Sequence, residues 1–134
     1  MDKQPSSNAG PFTFRDLMVW KQSRALASDI YRVAATPKLY GHYAYCDQLG
    51  RAALSVPSNI AEGNDRGTNK EALRFLLIAR GSLSELETQL WIGHDLGWIE
   101  TVEYQRLSEK RAEVARLLGG LIRMRQQRLK SAES

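Results

Sequence analysis

The sequence predicts an all-α fold, an antiparallel up-down four-helix bundle. Apolar residues recur at spacings of three, four and seven along four long segments, helix-start and helix-stop signals separate those segments, and no segment alternates with the period of a strand. A chain of 134 residues with 43% hydrophobic content has the length of one domain, and folding at that size buries roughly two-thirds of the unfolded surface. The expected organisation is a disordered tail over 1–12, one bundle domain over 13–130 and a short disordered tail over 131–134.

The first helix is expected to begin near Phe14, because Thr13 and Asp16 resemble a capping box. It carries Leu17, Trp20, Ala27, Tyr31 and Ala34 on one side and runs to about Ala35, where Thr36-Pro37 stops it. The second occupies about Tyr43 to Glu62, with Gly63 placed to take the left-handed conformation that ends a helix. Thr68-Asn69-Lys70-Glu71 is the clearest capping box in the chain. From it a third helix reaches about Leu96, with Ala72, Phe75, Ala79, Leu83, Leu86 and Leu90 inward and Gly97 as its stop. Thr101 is the expected cap of the fourth, whose seam is Leu107, Val114, Leu118 and Leu121. Connections this short between long amphipathic helices imply antiparallel neighbours.

The stretch SVPSNIAEG, residues 55–63, is unusual within the second helix. At about 100° per residue, Gln48, Arg51, Ser55, Asn59 and Glu62 share one stripe, next to an apolar face of Leu49, Ala52, Ala53, Val56 and Ile60. Pro57 cannot donate to the carbonyl of Ala53, which costs about 3 kcal/mol in a regular helix and predicts a kink. Ser55 and Ser58 are expected to offer hydroxyls to freed carbonyls, while Ser82, Glu85 and Gln89 on the third helix complete a structural polar network. Arg51 is expected either to be solvated or to sit in a buried or half-buried ion pair, with Glu85 as its first partner and Glu62 as its next. The remaining side, Gly50, Leu54, Pro57 and Ala61, is small or apolar where a surface helix is normally charged, which predicts an oligomer interface.

Charge is unevenly distributed. Residues 1–100 hold 11 basic and 11 acidic side chains, whereas 101–134 hold 8 basic and 4 acidic, so the entire net charge of +4 lies in the last segment. With the fourth helix's seam inward, Arg116, Arg123 and Lys130 recur every seven residues on the opposite side, with Arg106, Lys110, Arg111, Arg125 and Arg128 beside them.

Catalytic chemistry is not expected. His42 and His94 lack partners at metal-ligand spacing, no phosphate-binding or nucleophile motif is present, and Glu85 and Glu87 point in different directions on their helix. Gly119-Gly120 inside a helix reads as close packing. No metal or cofactor is therefore expected. One cysteine, Cys46, allows no internal disulfide, and neither a signal peptide nor a membrane span is apparent, so the expected location is the cytoplasm, with no membrane partner.

Leu17 with Trp20, Gln48-Leu49, Arg51-Ala52, the whole of Ser55 to Gly63, Arg66, Glu71, Phe75, Ala79, Gly81-Ser82, Glu85-Leu86 and Gln89-Leu90 together form a recognisable pattern. In these residues the chain resembles the small four-helix-bundle proteins first noted as reading frames within 23S rRNA intervening sequences, relatives of the accessory variability protein of diversity-generating retroelements. The resemblance spans about Phe14 to Leu129 and departs from the pattern at Gly50, where many relatives carry a basic residue, and in GHYAYCD before Gln48. It implies a homopentamer and, for the retroelement branch, binding to RNA and to a reverse transcriptase. The resulting expectation is a non-enzymatic homo-oligomeric scaffold that binds RNA through Arg116, Arg123, Lys130, Arg125 and Arg128 of its fourth helix. The alternative is a protein adaptor ring, for a polymerase or reverse transcriptase, without direct nucleic-acid contact.

Overall fold

The computed structural model describes residues 12–133 and is helical throughout its ordered elements. A 3-10 turn (Phe14–Asp16) leads into α1 (Met18–Ala34), followed by α2 (Pro37–Tyr40), α3 (Tyr43–Asn64), α4 (Asn69–Asp95) and α5 (Thr101–Glu133). α3 packs against α1 and α4, and α5 closes the cycle by packing against both α4 and α1. This is the expected bundle, with the short α2 as an added cap. Residues 1–11 of the expected N-terminal tail lie outside the described residues, while α5 continues through 131–133.

The core is a column of fully buried aliphatics that includes Leu26 and Ile30 of α1, Leu49, Val56 and Ile60 of α3, Leu76, Leu83, Leu86 and Leu90 of α4, and Leu107 and Leu118 of α5. Each such side chain stabilises the fold by about 1.5–3 kcal/mol through removal from water. Leu39 is also fully buried, which explains why Pro37–Tyr40 coils into a turn of helix over the α1–α3 connection. Pro37 stands at its first position, where the missing N–H costs nothing.

Several boundaries differ from those the sequence suggests. The Thr13 N–H donates to Asp16 Oδ2 at 2.8 Å as expected, but this interaction closes the 3-10 turn; Leu17 is extended, and α1 begins at Met18. Phe14 meets the edge of Trp20 at 5.1 Å, folding the turn back onto α1. Gly63 does not terminate α3 in a left-handed conformation, because only Gly97 has a positive φ among the described residues. A Cβ at Gly63 would lie 3.0 Å from the Ala72 carbonyl oxygen, so its role is close approach to α4. Gly97 does end α4, with φ 75°. Thr68 caps α4 as expected, its hydroxyl accepting from the Glu71 N–H at 3.1 Å. Thr101 is already the first residue of α5, and its hydroxyl meets His94 Nε2 at 3.1 Å. Two inward assignments move by one position: Leu76 is buried where Phe75 is half-buried under Arg66 and Arg74, and Ile122 is buried where Leu121 is only partly so.

α3 runs unbroken through Pro57, which is buried. Ser55 and Ser58 do not supply the Ala53 carbonyl. Ser55 instead receives Ser82 Oγ at 2.8 Å and Asn59 Nδ2 at 2.9 Å on its hydroxyl, and Ser58 is exposed.

Candidate functional site

α5 is the longest element, 33 residues or about 50 Å, against 27 residues for α4. Its register on α4 is set near both ends. His94 stacks on Tyr104 at 4.6 Å, and Arg125 Nη1 donates to Asn69 Oδ1 at 3.0 Å. Asn69 is the first residue of α4, and beyond this contact Leu129 still packs, partly buried, against the core.

The basic residues of α5 divide by environment. Arg106 and Lys110 both reach Asp29 on α1, and Arg106 also grips Glu103. Burial pushes the Asp29 carboxyl up, but Lys110 and Arg106 outweigh it and hold the group below its ordinary value. Arg111 bonds to the Leu83 carbonyl and to Glu87 on α4. These three cations fasten helices together.

Beyond Glu113 the pattern changes, because α5 carries Arg116, Arg123, Arg125, Arg128 and Lys130 with no acid before Glu133. Arg116 is 68% exposed and forms a two-pronged contact with Glu113, which raises its pKa and lowers that of the carboxylate. Arg123, Arg128 and Lys130 are exposed, and neither Arg123 nor Arg128 has an acidic partner among the described residues. Arg125 departs from expectation. It points at the start of α4, its Nε is buried without a hydrogen-bond partner among the described residues, and burial, then repulsion from Arg128, pulls its pKa down. It is a structural arginine, turned inward because position 125 falls on the side of α5 that carries Leu118 and Leu107.

The expected polar network forms only in its centre. Ser55, Asn59 and Ser82 are joined, with Asn59 Nδ2 also donating to the Ser55 carbonyl at 2.8 Å. Arg51 does not pair with Glu85 or Glu62. It is 74% exposed and bonds Asp47 one turn earlier, while Glu62 bonds Arg66 one turn later. Each pair joins residues four apart in sequence, within easier reach than a partner across the groove. Gln48 and Glu85 are exposed; the Gln89 carbonyl accepts from the Tyr45 hydroxyl at 2.5 Å, and burial raises the Tyr45 pKa to about 12.

The predicted interface on α3 is largely covered within the chain. Gly50 is buried, and a Cβ there would lie 3.0 Å from the Tyr31 ring of α1; Pro57 is buried, Ala61 partly so, and only Leu54 stands 52% exposed. An inner helix of the bundle has two neighbours, and α1 and α4 cover its two apolar sides. Among the described residues, a run of exposed apolar side chains shares one face of α4. Leu77, Ile78, Trp91, Ile92 and Leu96 are all 40% exposed or more. Their recurrence at 77/78 and 91/92, with Gly81, Ser84 and Thr88 between them, was the sequence signal for this second face.

The two histidines act as aromatic struts. His42 precedes α3 as its N-cap residue and stacks on Trp98 at 3.7 Å; His94 stacks on Tyr104. Cys46 Sγ donates to the Leu39 carbonyl at 3.2 Å, and burial raises its pKa. Among the described residues, close packing does not explain Gly119 and Gly120, since a Cβ on either meets only the Arg123 guanidinium, at 3.4 and 3.9 Å. Among the described residues, no group of three or more His, Cys, Asp or Glu is placed to hold a metal ion, and no helix is long and apolar enough to cross a membrane.

No curated protein shows significant similarity to the chain. Among solved structures, the fold is similar to that of a protein of unknown function from the S23 ribosomal protein family of Bacteroides thetaiotaomicron. The TM-score is 0.73 at 21% identity, over 78% of this chain and 98% of that one. The sequence pattern of the 23S rRNA-intervening sequence protein family matches residues 15–120. The chain belongs to the family of 23S rRNA-intervening sequence proteins.

Proposed function

We propose that the protein is a non-enzymatic, self-associating scaffold that binds RNA through the outer face of α5. The observation that carries this reading is the acid-free stretch from Val114 to Ala132, in which Arg116, Arg123, Arg128 and Lys130 are exposed along one helix. Such a line attracts phosphates, and binding releases their condensed counterions. The family description, which places its members with 23S rRNA intervening sequences, supports RNA as the polyanion. Self-association is supported by the contiguous exposed apolar residues of α4, with Leu54 of α3 as a further exposed apolar residue. Five subunits is the number the family resemblance implies, and a ring would repeat the basic line around its circumference, as a cytoplasmic multivalent surface.

A second reading, a protein adaptor ring, rests on the same α4 face, where Trp91 is 57% exposed and suits a protein partner. Pull-down from native lysate before and after nuclease treatment separates the two. Partners lost with nuclease support the RNA reading; a protein partner that persists, with no affinity of the purified chain for structured RNA, overturns it in favour of the adaptor.

A further inference from the structure

Resting on that RNA reading, we propose that the form of RNA taken by α5 is the double helix. Arg116, Arg123 and Lys130 lie along its phosphates, and the bare backbone at Gly119 and Gly120 sits against the rim of a groove.

The three cations project from one uninterrupted helix, spaced about 10.5 Å apart along its axis. A rigid line of charge suits a polyanion whose phosphates are themselves fixed in space, as they are in a duplex. Arg116 is held by Glu113 in the free protein, and a phosphate takes over that guanidinium without moving α5.

The glycine pair lies between Arg116 and Arg123, half-buried beside the Arg123 guanidinium. Glycine weakens a helix interior relative to alanine, and among the described residues no fixed neighbour requires it here. Among the described residues, a Cβ at either position would meet only the end of the Arg123 side chain. What the pair provides is a strip of helix that another surface can approach down to the main chain, flanked on both sides by arginine.

The face also lacks what a single strand needs. Proteins that hold unpaired nucleotides stack the bases on aromatic rings, yet no aromatic residue occurs between Gln105 and Glu133. Tyr104, the one aromatic of α5, is already stacked on His94. Duplex RNA hides its bases and is recognised by backbone position and shape, for which cations and a flat approach suffice.

The test is to titrate the full chain with a blunt RNA duplex and with one unstructured strand of the same composition. Wild type is expected to bind the duplex more tightly by about tenfold or more, since no base gains a stacking partner on α5. The double variant Gly119→Gln, Gly120→Gln leaves the charge unchanged and is expected to melt no lower than wild type, yet to bind the duplex several-fold more weakly, with its single-strand affinity unchanged. A single strand bound as tightly as the duplex, or a duplex affinity untouched by the glycine variant, overturns the inference while leaving RNA binding by α5 in place. If wild type binds neither RNA, the inference and the reading beneath it both fail.

Discussion

Asp29 of α1 sits between Lys110 and Arg106 of α5 and is the least exposed member of that cluster, with 14% of its side chain open to water. Its carboxyl is held below its ordinary value, so the cluster stabilises the fold above the unfolded pKa of about 3.9 and loses that contribution as pH falls through the lower folded value. Both cations are about 40% exposed, so solvent screening limits the effect to about 1 kcal/mol. Asp29→Asn should lower the melting temperature at neutral pH, and the gap to wild type should close at strongly acidic pH. Equal gaps at both would remove the charge from the explanation.

On α3, Arg51 and Ser82's partner Ser55 make opposite demands. Arg51→Ala removes an exposed pair with Asp47 and should cost under about 1 kcal/mol. Ser55→Ala leaves the buried Ser82 hydroxyl without its acceptor, while the Asn59 amide keeps the residue 55 carbonyl, and should cost about 1–3 kcal/mol. Urea midpoints measured at unchanged slope give both values, and a larger loss for Arg51→Ala would contradict the observed network.

The glycines make a paired prediction. Gly63→Ala forces a methyl against the Ala72 carbonyl and Phe75 Cβ, at 3.0 and 3.3 Å, and should destabilise the bundle. Gly120→Ala meets no backbone and should stabilise it by about 1 kcal/mol. Thermal melts of the two variants should therefore move in opposite directions.

Self-association should depend on α4. Ile78→Glu with Ile92→Glu places carboxylates on its exposed apolar face, where burial against a second copy is unfavourable. Light scattering should then fall to a species of 15.1 kDa with unchanged helicity, while Gly50→Ala, beneath the Tyr31 ring, acts on the bundle and not on assembly. A monomeric wild type at micromolar concentration would end the scaffold reading.

Much of the fold was legible in the sequence because its signals are local. The Thr68 cap, the Gly97 stop and the inward Leu83, Leu86 and Leu90 each follow from helix geometry over a few residues. What was not legible depended on neighbours. The apolar side of α3 at Gly50 and Pro57 does not reveal whether α1 or another molecule covers it, and only the Tyr31 ring decides. Arg51 was expected to reach Glu85 or Glu62, and Asp47, one turn away on its own helix, took it. The inward turn of Arg125 was readable from its position relative to Leu118 and Leu107, but its contact with Asn69 required the α4–α5 register. The outward line of Arg116, Arg123 and Lys130 came directly from the seven-residue spacing.

The most direct measurement of the central claim is the salt dependence of structured-RNA binding by wild type and by the triple variant Arg116→Glu, Arg123→Glu, Lys130→Glu, once both are shown to assemble alike. Each phosphate neutralised contributes a log–log slope of about −0.7 on single strands and about −0.9 on a B-form duplex. Wild type should show a steep slope, and the variant a much weaker affinity with a shallower one. Equal affinity for the two proteins, or binding indifferent to salt, would contradict α5 as the RNA surface.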